Sequence, residues 1–278
     1  MNAGLPPSPL PAVDQETVDA VVNALQAAGS RLPIPAPDER LTDLLTSHQL
    51  LGADGIASCV DGPTLQALVA TLASWRPDVA CLLASAVMAT LAELPPDHAV
   101  ALHAWPQGGF WRLARPAAET PPRIWCWWWQ GQVLQAPSTV FADTGLAMQE
   151  CADHAASRLR PSPAAEQAQL AGLRQALRQG IGHAALQATE AHVRTRTMFH
   201  RRMIELPAIA WRMRQAHALL NSSGNPALRV ELEQLQGGFG FMQESIGAQW
   251  LDWLYWADSL PATAGSTDID SLNSSQSK

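Results

Sequence analysis

Residues 180–215 read GIGHAALQATEAHVRTRTMFHRRMIELPAIAWRMRQ, and this stretch decides the fold. Apolar residues return at helical spacing through Ile181, Ala184, Leu186, Ala188 and Ala191, and no Gly or Pro interrupts the chain between Gly182 and Pro207. The pattern predicts a long helix running into an arginine-dense turn with one aromatic residue, then a second amphipathic helix after Pro207. Six arginines (194, 196, 201, 202, 212 and 214) fall here, out of 17 in a chain that has one lysine. A chain of net charge −7 thus gathers positive charge at one helix–turn–helix. The planar guanidinium fork matches phosphate geometry, so this turn is a candidate for holding a phosphorylated ligand.

Outward from that spine, 278 residues with 47% hydrophobic and 15% charged content describe a folded chain with a sizeable core. The negative net charge argues against nucleic acid as a partner. The longest apolar run, Val79 to Leu94, contains Ser85, Thr90 and Glu93 and reads as a buried core helix, so no membrane span is expected. The N-terminus shows no basic region followed by an apolar one, and the four cysteines (59, 81, 126 and 151) lack metal-like spacing. Reduced buried thiols in a cytoplasmic protein are the expectation.

Five segments are expected. Residues 1–12 are a proline-rich flexible arm. Residues 13–95 form an N-terminal helical domain: Asp14 can cap a helix burying Val18, Val21, Val22 and Leu25, Asp38 starts a short helix, and Asp61 with Pro63 starts another. Residues 96–160 form a reduced β-rich segment, with strands expected at 99–105, 110–114, 123–130, 133–135 and 139–142. Six of the eleven tryptophans lie there, and in a strand Trp125, Trp127 and Trp129 face one way and Trp128 the other. They read as a packed aromatic core under a small sheet, with a ring-stacking ligand platform as the alternative. Residues 161–260 return to helix, and 261–278 are a Ser/Thr/Asp/Gly-rich disordered tail.

The spine also carries a resemblance. Gly180, then Arg196-Thr-Met-Phe199, then Ile204-Glu205-Leu206 resemble the acyl-CoA dehydrogenase family, where a long helix ends in Arg-x-x-Phe-Gly. Gln234-Leu-Gln-Gly237-Gly238-Phe-Gly240-Phe241, followed by Glu244, resembles that family's Gln-x-x-Gly-Gly-x-Gly-Tyr turn. The resemblance runs from about 164 to 256. It implies a mainly α, acyl-CoA dehydrogenase-like fold with an N-terminal helical part, an abbreviated β-segment and a C-terminal helical bundle. It also implies an FAD site at a dimer interface, met by Arg196 and Phe199 at the pyrophosphate and rings and by Gln234, Gly237 and Gly238 near the adenine end.

The departures are specific. His200 stands where the family has Gly, Arg202 where it has Pro, and Pro207 where it has Gln. One family seat for the catalytic base falls on Leu260-Pro261-Ala262-Thr263, and the other, on the long helix, falls on Leu170; neither holds a carboxylate. Glu166 lies a turn from the second seat. The family's Arg-Asp after the glycine turn is replaced by Asp252-Trp253. The resemblance therefore implies a non-base subunit that completes an FAD site, with a catalytic acyl-CoA dehydrogenase subunit, or a second copy, as partner and an acyl-CoA thioester as substrate of the assembly. A non-enzymatic helical interaction protein and a self-sufficient flavoenzyme using Glu166 or Glu244 are the alternatives. No P-loop, Gly-x-Ser-x-Gly or His-Glu-x-x-His motif occurs, and the eight histidines show no ligand spacing.

Overall fold

The computed structural model describes residues 14–29, 38–48, 50, 61–95, 98–114, 124–137, 141–143, 148–221, 227–237, 246–258 and 260. The expected flexible arm and tail lie outside these residues. Helix α1 (Gln15–Gly29) starts where Asp14 accepts hydrogen bonds from the Thr17 N–H (3.1 Å) and hydroxyl (2.6 Å), and it buries Val18, Val21, Val22 and Leu25. Helix α2 (Asp38–Ser47) contributes Leu44 and Leu45 to the same core. Asp61 caps α3 (Gly62–Trp75) through the Thr64 N–H at 2.7 Å, with Pro63 in the first turn.

Arg76 and Asp78 join α3 to α4 (Pro77–Leu91) through a two-pronged ion pair of 2.9 and 2.5 Å, each side chain 2% exposed. Helix α4 buries Val79, Ala80, Leu83, Ala84, Val87 and Met88, as the apolar run predicts. No helix among the described residues is long and apolar enough to cross a membrane.

Two four-stranded sheets follow. The first has the order β1 (His98–Val100), β4 (Ile124–Trp129), β5 (Gln132–Pro137), β8 (Ser157–Pro161), with β1 parallel to β4 and the other pairs antiparallel. The second runs β2 (His103–Gln107), β3 (Phe110–Ala114), β7 (Met148–Ala152), β6 (Phe141–Asp143), all antiparallel. The run expected as one strand over 99–105 therefore divides: the chain leaves the first sheet after Val100 and enters the second at His103.

Strand β4 shows the expected alternation. Trp125 and Trp127 enter an aromatic core between the sheets with Trp111, Leu113, Leu134 and Cys151, while Cys126 and Trp128 face the helical core. The Trp111 ring lies 5.5 Å from Trp127 and edge-on to Trp129 at 5.3 Å. The tryptophans pack on one another, as the first of the two sequence readings requires.

Helix α5 (Ala164–Thr195), 32 residues and about 48 Å long at 1.5 Å per residue, is the spine. Its buried stripe runs through Leu170, Leu173, Leu177, Ile181, Ala184 and Ala185. At Gly180 it meets α3 so closely that an added Cβ would overlap the Ala70 carbonyl oxygen and lie 2.7 Å from the Ala73 Cβ. Helices α6 (Pro207–Asn221), α7 (Ala227–Gln236) and α8 (Ile246–Asp258) complete the bundle.

Candidate functional site: an arginine hairpin at the end of the long helix

The turn after α5 is a β-hairpin. Arg196 ends the helix, its N–H donating to the His192 carbonyl at 3.0 Å, and its own carbonyl accepts from the Met203 N–H at 2.8 Å. Between these bonds lie β9 (Thr197–Met198) and β10 (Arg201–Arg202), antiparallel, with Met198 opposite Arg201 and Thr197 opposite Arg202. The two-residue loop is Phe199-His200, at φ +51° and +61°. Two consecutive left-handed residues are what a tight hairpin demands, and glycine or asparagine is the usual occupant. Phe199 and His200 hold this shape against the steric preference of a side chain with a Cβ.

The register sorts the arginines. Side chains alternate across a strand, so Arg196, Met198, Arg201 and Met203 share one face of the hairpin, and Thr197 and Arg202 take the other. Met203 is buried and roots the hairpin in the core. Phe199 is 81% exposed at the tip. Arg196, Arg201 and Arg202 are exposed and form no ion pair with a carboxylate among the described residues. The other three arginines are spoken for or apart: Arg194 pairs with Glu190 at 2.5 Å, Arg212 pairs with Glu231 at 2.9 Å, and Arg214 points outward from α6. The positive cluster of the sequence thus reduces to three guanidinia, two of them on one hairpin face. Burial and the nearby Arg196 charge hold the His192 imidazole below its ordinary pKa.

Of the glycine-turn motif, Gln234 lies on α7 and Gly237 directly follows it. Gln234 is exposed, and its side-chain oxygen accepts from Arg212 Nη1. Gln236, next to it, is buried and donates from Nε2 to Thr189 Oγ1 at 2.7 Å, while its side-chain oxygen meets no partner among the described residues. Thr189 stands seven residues before Arg196, about 10 Å along the helix axis, so this bond holds the end of α7 within two turns of the hairpin root. Gly237 adopts φ +56°, with nothing within 4 Å of where a Cβ would stand. Gly238 and Glu244 lie outside the described residues. The structure therefore brings Arg196 and Phe199 into one hairpin, while Gln234 is engaged by Arg212 and Gln236 ties the end of α7 to Thr189 on α5.

Neither base seat holds a carboxylate. Leu170 and Leu260, at the two base seats, are buried. Glu166 is occupied on both oxygens: Oε1 accepts from Arg160 Nη2 at 2.7 Å, and Oε2 from Trp128 Nε1 at 3.2 Å and Ser162 Oγ at 3.4 Å. It fastens the start of α5 to the first sheet. No group of three or more His, Cys, Asp or Glu able to hold a metal occurs among the described residues.

Arg174 escaped the sequence reading. It sits in the buried stripe of α5 and donates from Nε to the Leu102 carbonyl at 2.5 Å, between β1 and β2. The signal was there: an arginine one turn after Leu170, between Leu173 and Leu177, falls on the apolar face.

Solved structures are similar over nearly the whole chain. A steroid acyl-CoA dehydrogenase, Tcur3481-Tcur3483, in a G363A variant, superposes with a TM-score of 0.59 at 15% identity, covering 94% of this chain and 97% of that one. The chain has the acyl-CoA dehydrogenase fold. Butyryl-CoA dehydrogenase from Megasphaera elsdenii matches with a TM-score of 0.57 at 13% identity over 97% of this chain and 99% of its own. The ChsE4-ChsE5 complex from Mycobacterium tuberculosis gives 0.55 at 16% identity over 95% and 96%. No family model matches the sequence, and no curated protein does.

Proposed function

We propose that this chain is an acyl-CoA dehydrogenase-like subunit that lends its arginine hairpin to an FAD site serving α,β-desaturation of an acyl-CoA thioester, with the base supplied by a partner subunit. The observation that carries this reading is the hairpin: a phenylalanine 81% exposed, in a strained left-handed turn, flanked by guanidinia without carboxylate partners among the described residues. Strain of this kind persists only where the surrounding fold enforces it, and it gathers at ligand clamps. The donor set fits a diphosphate, since Arg196 and Arg201 share a face and each offers a planar fork. A bound flavin would supply a hydride acceptor for the β-hydrogen, with a carboxylate of the assembly taking the α-proton.

Within this chain, Arg196 and Arg201 neutralise phosphate charge, Phe199 covers an apolar ring face, and Gly237 leaves room for a ligand to reach backbone N–H groups. Leu170 and Leu260 supply no proton acceptor, so the base comes from elsewhere. A hetero-oligomer is also supported by the similarity to the ChsE4-ChsE5 complex, and steroid-bearing acyl-CoA is the substrate class suggested by the steroid acyl-CoA dehydrogenase. A second reading, an interaction protein that keeps the bundle only for association, is favoured by Gln234, whose amide oxygen is taken by Arg212.

Co-expression with an acyl-CoA dehydrogenase encoded beside it, followed by sizing chromatography at 280 and 450 nm, separates the two. The half-site reading expects co-elution with flavin absorbance that falls on Arg196→Ala. A stable complex without flavin leaves the interaction protein, and absence of both complex and flavin sinks the FAD reading.

A further inference from the structure

The contact between α6 and α7 fixes the direction of one amide. Arg212 on α6 donates from Nη1 to Glu231 Oε2 at 2.9 Å, and from the same nitrogen to Gln234 Oε1. Glu231 and Gln234 stand three residues apart on α7, hence on one side of that helix. The two hydrogens of one guanidinium nitrogen thus serve two acceptors on the neighbouring helix. A guanidinium carries five donors and no acceptor, so the end of the Gln234 amide that faces it must be the oxygen. Nε2 therefore faces away from Arg212. It is the free end of an exposed side chain and makes no hydrogen bond among the described residues.

We propose that Arg212 is a positioning residue for Gln234, holding its amide so that Gln234 meets a nucleotide as a hydrogen-bond donor only. This rests on the FAD reading above, in which Gln234 lies near the adenine end. The ligand atom so selected is an acceptor. Adenine offers acceptors at its ring nitrogens, whereas its amino group is a donor and finds no partner in this side chain. Two effects reach the ligand through Arg212. A glutamine on a helix surface loses rotamer freedom when a ligand fixes it, and the bond from Arg212 takes that loss before binding. The chain of bonds from the Glu231 carboxylate through the guanidinium to the amide carbonyl also polarises the amide and strengthens its N–H as a donor. Glu233, the other acid of this helix turn, is engaged by Arg229 at 2.8 Å and does not compete for Arg212.

The test uses the assembly co-expressed for the function proposed above and compares the dissociation constants of FAD and of FMN, which lacks the adenylyl part. Gln234→Glu keeps the length of the side chain and its bond to Arg212 but turns the outward donor into an acceptor. The expected result is FAD binding weakened about tenfold or more, with FMN binding and the melting temperature of the chain unchanged. Arg212→Met frees the amide and weakens FAD about threefold, and Arg212→Lys restores part of that loss. In a Gln234→Ala background Arg212→Met has no further effect on FAD, because its action runs through the amide. Should Arg212→Met not fold, Gln234→Glu and Arg212→Lys still decide. The inference is overturned if Gln234→Glu holds FAD as the unaltered chain does, if FAD and FMN weaken equally, or if Arg212→Met acts as strongly in the Gln234→Ala background. An assembly without flavin overturns the proposed function and this inference together, whereas a flavin-bearing assembly indifferent to Gln234→Glu overturns this inference alone.

Discussion

Substituting alanine at Gly180 tests the packing that holds the spine in place, and Gly172 on the same helix is its control. In a helix interior alanine outdoes glycine by about 1 kcal/mol, so both substitutions start with the same gain. Their surroundings differ. At Gly180 the new methyl overlaps the Ala70 carbonyl oxygen and crowds the Ala73 Cβ at 2.7 Å, both fixed parts of α3. At Gly172 it overlaps only the end of the Gln66 side chain, whose Cδ lies 2.8 Å away and can swing aside. Overpacking a rigid contact costs up to about 3 kcal/mol, because the helices must separate and lose contact along their length. The net loss for Gly180→Ala is about 2 kcal/mol, whereas Gly172→Ala ranges from neutral to about 1 kcal/mol more stable. For a chain of this size each kcal/mol moves Tm by about 2–4 °C, so Gly180→Ala melts about 4–8 °C lower than the unaltered protein. Urea titration with an unchanged m-value checks that the folded state itself is affected. A Gly180→Ala protein as stable as Gly172→Ala would falsify the close approach of α3 and α5.

Three further predictions concern other elements. His200→Gly relieves one left-handed non-glycine residue and stabilises the chain by about 1 kcal/mol, read as a higher Tm; an unchanged or lower Tm rules out the tight hairpin. Asp258, whose carboxyl is raised to about 6 by burial against the partial relief given by Arg229 and Arg178, binds its proton more tightly folded than unfolded. Its contribution is therefore favourable below about pH 4 and is lost as pH rises through about 6. Asp258→Asn should accordingly gain in urea midpoint relative to the unaltered protein between pH 4 and pH 7, and a difference independent of pH refutes the assignment. Glu166→Gln weakens the bonds from Arg160, Trp128 and Ser162 and costs about 1.5–3 kcal/mol in urea unfolding, with flavin content of any complex unchanged. Loss of turnover without loss of stability would instead make Glu166 a base.

Much of the helical architecture was legible because its signals are local. Asp14 and Asp61 each hydrogen-bond an N–H three residues on, and Pro63 sits in the first turn, so those helix starts are written in single short motifs. The tryptophan alternation in β4 follows from the strand period alone. The sheets were harder. The β-forming run over 99–105 carries no mark of the point where the chain changes sheet, since that is decided by Ala101 and Leu102 entering different cores. Strands β7 and β8, reading MQECA and SRLRP, contain no β-branched or aromatic residue and are strands through pairing, not propensity. At the site, Arg196 and Phe199 were visible as a motif, but Phe-His gives no sign of a tight hairpin. The engagement of Gln234 by Arg212 joins residues 22 apart, beyond any local pattern.

Strand β4 is six residues long, and its side chains enter the two cores by turns, Ile124, Cys126 and Trp128 in one and Trp125, Trp127 and Trp129 in the other. A slip of one residue would exchange the two sets wholesale, sending Trp128 and Cys126 in among the sheets and Trp125 and Trp127 against the helices. Neither core can therefore loosen its hold on β4 without disturbing the other. The expected consequence in hydrogen exchange is that the amides of β4 open only with the whole molecule, helices and sheets unfolding as one cooperative unit.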